Sequence, residues 1–422
     1  MKTWKSGNVL SLLVAVFVVQ VLAAGLAMAE GSSYRLATAE FIPAELMEGA
    51  NYRVDSQVVN DGLVNTYEVD TRYGSLTVEG TPLLLERISE LRALSHIEKI
   101  EASEVYKDAL KEGIKSPLRG AEALIDDPVA TVKGAAQGVG RWLSDIGRSI
   151  SSQDPHQAGV AATALGQAAA KRAFAHEFGV DPYTRFRPLQ KSLDDLGWAM
   201  AGGGLTTKVA LSIIPGSAGL AVSATATTNS MRLLVRDKSP AQLDTINGEK
   251  LRRMGVSSPV IDTFLGNSAF TPLDKTIIVG ELAELKGVKG RSDFIASAAF
   301  VDNLGMAIFM RHRAQMIGRF ASEVGGVESL VKIDRTLFVK TTAGDYVGLF
   351  PVDRIAYDAS MASKLDIVDK AIAARPGVRG KQLWIGGPVE EEALALLKKR
   401  GWLVYDRQFD HLRETRAASA RL

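Results

Sequence analysis

The chain contains no cysteine. That excludes disulfides, thiolate catalysis, cysteine-ligated metal and a lipidated N-terminal cysteine. Net charge is also scarce. Fifty Lys and Arg against 48 Asp and Glu leave +2 with His neutral. Such a balance creates no long-range field to gather nucleic acid, which is therefore not an expected partner. Histidine is the third shortage. His96, His156, His176, His312 and His411 are the only five, and no two stand four residues apart. The paired helical histidines of zinc proteases are missing. His176-Glu177 starts like that motif, but position 180 is Val. His176 with Asp181 makes half a metal site, and the simpler reading is a partly buried histidine.

Catalytic signatures are equally sparse. Gly290-Arg291-Ser292-Asp293-Phe294 lacks the last glycine of a nucleophile elbow, so Ser292 reads as a helix N-cap. Gly386-Gly387 stands before a helix N-terminus, where a phosphate could sit. Glu390, Glu391 and Glu392 would repel it, and no Lys-Ser/Thr or G-x-G-x-x-G follows. The glycines read as a compact turn between strand and helix. No metal or cofactor is implied, and the chain leans away from enzymes.

What is present begins at the N-terminus. Lys2 and Lys5 precede an apolar run from Val9 to Leu26, which ends in Ala27-Met28-Ala29. Small residues at −3 and −1 predict a signal peptide cleaved after Ala29, and an exported body in the periplasm or cell envelope. The competing reading is an uncleaved single-span anchor.

The stretch from Leu193 to Met231 is the least charged of the remainder. Between Asp195 and Arg232 the only charge is Lys208. Two readings stand side by side. Residues 209–231 are long enough to span a bilayer. Alternatively, Pro215-Gly216 breaks them into two short core helices packed through small residues.

Periodicity supplies the elements. Tyr52, Val54 and Val58 lead into the turn Asn60-Asp61-Gly62. Tyr67, Val69 and Thr71, then Leu76 and Val78, alternate with polar residues, as in a meander with one wet face. Leu84, Ile88, Leu91 and Leu94 predict a helix after Thr81-Pro82 that covers it. Pairs such as Ser116-Pro117, Asp127-Pro128, Ser239-Pro240, Ser258-Pro259 and Thr271-Pro272 combine an N-cap oxygen with Pro at N1 and point to a helical middle. Residues 128–150 form a helix weakened by Gly134, Gly138 and Gly140, and residues 157–175 form an Ala-rich one. Ser292 to Ser322 reads as the longest, a central buried helix. Thr336–Val339 and Tyr346–Phe350 form a hairpin. Leu383–Ile385, Glu390–Arg400 and Trp402–Tyr405 form a strand–helix–strand unit with parallel strands.

The fold class is thus α+β, mainly α: a small N-terminal antiparallel meander, a central helical bundle, and a C-terminal β-hairpin plus βαβ unit. The boundaries fall at 1–29 for the signal peptide, 30–115, 116–325 and 326–422.

Asn60-Asp61-Gly62, Tyr67 with Asp70 and Tyr73-Gly74, Gly179-Val180-Asp181-Pro182-Tyr183, and Leu383-Trp384-Ile385-Gly386-Gly387 with Gly401-Trp402 form one set. The set resembles a family of exported proteobacterial proteins of unknown function. The resemblance implies export and carries over no catalytic or binding residue.

One constellation could receive a ligand. Asp302, Met306, Phe309 and Arg313 fall on one helical face at spacings of four, three and four. An acid and a base flanking apolar residues could line a pocket, or could satisfy each other, because buried charge demands a partner. The expected function is non-enzymatic binding or scaffolding in the envelope, with an envelope protein or a small apolar ligand as partner. The alternatives are membrane association through residues 209–231 and a hydrolase with an unrecognised site.

Overall fold

A computed structural model describes residues 34–108, 155–201 and 226–409. The expected signal peptide, the helix expected at 128–150 and most of the 209–231 stretch lie outside the described residues. Among those described, no helix is long and apolar enough to cross a membrane.

The N-terminal strands are β1 (Tyr34–Ala37), β2 (Glu48–Gly49), β3 (Tyr52–Val54), β4 (Gln57–Asn60), β5 (Asn65–Thr71) and β6 (Gly74–Glu79). All their pairings are antiparallel, and β5 is the hub. One edge of β5 pairs with β4 at its start and with β3 at its end, and β6 runs along the other. The alternation read from the sequence sets the faces: Tyr67 and Val69 are buried, while Glu68 and Asp70 are exposed. Gly62 carries the positive φ of 103° that the turn requires. β1 and β2 were not legible: β2 has two residues, and β1 has four, too few for its alternation of Tyr34 and Leu36 with Arg35 and Ala37 to mark a strand.

The helices follow as α1 (Thr81–Glu101), α2 (Pro155–Glu177), α3 (Arg187–Ala201), α4 (Ala226–Asp237), α5 (Pro240–Arg253), α6 (Ser258–Gly266), α7 (Pro272–Glu284), α8 (Arg291–Ala298) and α9 (Leu304–Glu323). Thr271 caps α7 as expected. Its hydroxyl accepts from the Asp274 N–H, and the Asp274 carboxylate accepts from the Thr271 N–H. Two other cap assignments are corrected. α6 takes Ser257 rather than Ser258 as its N-cap, which puts Pro259 at the second helical position. α8 is capped by Gly290 at φ 79°, with Ser292 inside the helix. The chain must approach Leu330 so closely there that a Cβ at position 290 would overlap the Leu330 carbonyl.

The single helix expected from Ser292 to Ser322 is two helices. Asn303 decides this. Its side chain accepts from the Met306 N–H at 2.9 Å, so α9 starts afresh at Leu304. Apolar periodicity ran through the break because Ala298, Ala299 and Val301 before it and Ala307 after it are all core residues.

After α9 come β7 (Val327–Ile333), β8 (Thr336–Thr341), β9 (Asp345–Phe350), α10 (Met361–Ala373), β10 (Gly380–Ile385), α11 (Glu391–Lys399) and β11 (Trp402–Tyr405). They build one five-stranded sheet in the order β11-β10-β9-β8-β7. β10 and β11 are parallel, as the strand–helix–strand pattern requires. The expected hairpin is larger than anticipated: β7 adds a third antiparallel strand, and β9 joins β10 in parallel. Leu330, Leu337, Val339, Val347 and Leu349 pack against helical residues such as Phe264, Phe294, Ile317 and Phe320. Phe338, Tyr346, Leu383 and Ile385 pack with Ile372 of α10 and Leu397 of α11.

Contacts divide the described chain into two compact units. One holds residues 34–88, 226–235 and 240–409; the other holds 89–108, 155–201 and 236–239. The second unit is helical, with Phe174 of α2 and Leu189, Leu193 and Leu196 of α3 in its core. Gly197 lets these two helices close, since a Cβ there would stand 2.8 Å from the Gln167 carbonyl oxygen. Lys171 and Asp194 pair across them at 2.7 Å. Burial pushes the Tyr183 phenol up to about 12, against the pull of nearby Arg172.

Candidate binding site

Two arginines near the middle of α9 differ in how their charge is met. Arg311 is buried and doubly paired. Its Nη1 donates to Asp274 Oδ1 at 2.6 Å, and its Nη2 donates to Glu86. Asp274 is held in turn by the capping box of α7, so both partners sit on rigid backbone. His312 stands next to this group, 3.5 Å from the Glu86 carboxylate.

Arg313 is buried too, with 7% exposure. Its Nη2 donates to the Leu337 carbonyl of β8. The guanidinium lies over the Phe350 ring at 5.2 Å and the Phe309 ring at 5.9 Å. Its Nε has no hydrogen-bond partner. No acidic side chain among the described residues offsets the charge; desolvation alone acts on it and lowers its pKa to about 10. The rings attract the cation through their quadrupoles. They do not replace a counter-ion, because a ring carries no net charge.

The structure brings three of the four expected site residues together. Met306, Phe309 and Arg313 share a face of α9, the first two half-buried. Asp302 does not join them. It lies before the helix, exposed, and accepts a 3.0 Å bond from the Asn303 side chain. Extending the helical spacing back to Asp302 failed because Asn303 starts the helix. Phe350 and Leu337 also meet the Arg313 guanidinium and were missed. They come from strands far along the chain, so no local spacing could connect them to Arg313.

A second polar cluster in the same unit has all its groups satisfied. Asp353, fully buried, accepts from the Asn65 N–H at 2.8 Å and the Thr81 N–H at 2.9 Å. Asn65 Nδ2 donates to the Tyr67 hydroxyl at 2.7 Å, which meets Thr81 Oγ1 at 2.6 Å. Asn60 Nδ2 donates to Asn65 Oδ1 at 2.7 Å. Burial raises the Asp353 carboxyl to about 6, and the hydrogen bonds from Asn65 and Thr81 hold it back from a larger rise. None of these side-chain atoms is left without a partner, so the network fixes the N-terminal sheet to the segment after β9. Gly386 and Gly387 close the other side: a Cβ at position 387 would overlap the Asp353 carbonyl.

Among the described residues, no group of three or more His, Asp or Glu side chains could hold a metal ion. Compared with protein-family models, curated proteins and solved structures, the chain matches none.

Proposed function

We propose that this is an exported envelope protein that acts by binding, and that the Arg313 face of α9 receives a small ligand carrying a carboxylate on an apolar body. The carrying observation is the buried guanidinium without a counter-charge among the described residues, beside the Arg311 guanidinium that has two. A buried charge is retained against its desolvation cost when something requires it. The free Nε–H and the flanking half-buried Phe309 and Met306 suit an anionic head with an apolar tail. Arg also offers the planar fork that a carboxylate fits and that Lys lacks.

The test is titration calorimetry of the full chain with dodecanoate. Dodecanol and inorganic phosphate serve as the apolar-only and anion-only controls. Saturable heat with dodecanoate, absent with both controls and absent in Arg313→Met and Arg313→Lys, supports the proposal. Equal binding by Arg313→Met, or no heat with the unmodified chain, overturns it.

A further inference from the structure

The apolar strip that leads away from Arg313 is short, and its far end is acidic. From Arg313, α9 runs back through Phe309 to Met306, both half-buried. Met306 stands about two helical turns before Arg313, a separation of about 10 Å along the axis. Before Met306 the side chains change character. The helix begins at Leu304, and Asp302 and Asn303 ahead of it are polar and exposed.

Two carboxylates border that first turn. Gly305 lies one turn before Phe309 on the same side of the helix. The place its Cβ would take stands 3.5 Å from Oε2 of Glu79, the last residue of β6, and 3.6 Å from Asn303 Oδ1. Asp302 sits just outside the helix and accepts from the Asn303 side chain at 3.0 Å. Glu79 and Asp302 are both exposed. The α9 dipole offers about half a positive charge at this end. Two full negative charges exceed it, so the start of α9 is net negative.

We propose that the ligand received at Arg313 is a monocarboxylate of medium chain length, and that Glu79 and Asp302 turn away chains carrying a second carboxylate. The inference rests on the binding reading given above for Arg313. The carboxylate meets the buried guanidinium, and the chain runs along Phe309 and Met306 toward the start of α9. With C–C bonds of about 1.5 Å in a zigzag, a chain of about eight carbons covers that strip. Carbons beyond it pass Gly305 into water and add little apolar burial. A second carboxylate at the far end of a ten-carbon chain stops beside Glu79 and Asp302 and meets like charge. An uncharged end meets none. The two ends of the strip thus read opposite features of one ligand: Arg313 requires a carboxylate, and the acidic end refuses another.

The test is titration calorimetry of the full chain with hexanoate, octanoate, decanoate, dodecanoate and decanedioate. Affinity should rise about fourfold per carbon from hexanoate to octanoate, the worth of one buried CH₂, and by less than about twofold per carbon from decanoate to dodecanoate. Decanedioate should bind at least about fivefold more weakly than decanoate at low salt, and added salt should narrow the gap. The double variant Glu79→Gln, Asp302→Asn should close the gap, with an unchanged far-UV circular dichroism spectrum. Three results overturn the inference and leave the Arg313 reading standing. They are decanedioate binding as tightly as decanoate, a gap that persists in the double variant, and a fourfold gain per carbon that continues to dodecanoate. No heat with any monocarboxylate overturns both.

Discussion

Replacing Arg311 and Arg313 by the same residue should have very different consequences. Arg311→Met leaves Asp274, whose side chain is 2% exposed, without its counter-ion, and strips Glu86 of one as well. Breaking a buried pair by removing one partner costs about 3–5 kcal/mol, because the remaining charge stays buried. Arg313→Met strands no carboxylate. It relieves the burial penalty implied by the drop from 12.5 to about 10, or about 3 kcal/mol. Against this, the charged bond to the Leu337 carbonyl contributes about 1.5–3 kcal/mol, and the two rings contribute about 1 kcal/mol. The opposing contributions nearly cancel, so Arg313→Met should lie within about 1 kcal/mol of the unmodified protein. Urea unfolding followed by circular dichroism measures both, with the comparison made at equal m-values. If Arg313→Met destabilises as much as Arg311→Met, then Arg313 has a counter-charge after all, and the argument for a ligand there collapses.

Asp353 should leave a signature in the pH dependence of stability. Its folded pKa, about 6, lies above the ordinary value of 3.8. The folded state therefore holds the proton more tightly. Stability on this account is highest at low pH and falls by about 3 kcal/mol as pH rises from about 4 to 6. Unfolding free energies of the unmodified chain minus those of Asp353→Asn should show this slope; a flat difference would contradict it. At pH 7, Asp353→Asn should still be about 1–3 kcal/mol less stable, since its amide turns a donor toward the Asn65 or Thr81 N–H. Gly387→Ala should destabilise by about 3 kcal/mol or more, because the overlap is with backbone of residue 353 rather than with a movable side chain; a normal melting temperature would show that the turn can open. Asn303→Ala should cost about 1 kcal/mol through loss of the α9 cap, read from the same urea titration.

Features carried by neighbouring residues were legible without a structure. The alternation at 65–79 and the parallel β10–α11–β11 unit both follow from periods of 2 and 3.6. Composition alone removed thiol chemistry and disulfides. The Met306–Phe309–Arg313 face was also visible, because a helix fixes which side chains share a side. What tertiary structure decided is which charges have partners. Arg311 and Arg313 are two residues apart in one helix, yet one meets Asp274 and Glu86 while the other meets Phe350 and a carbonyl of β8. Likewise, nothing local links Asp353 to Asn65 and Thr81, 288 and 272 residues away. Local spacing sets direction along an element. Whether a buried charge is compensated depends on chain segments brought together only when the core closes.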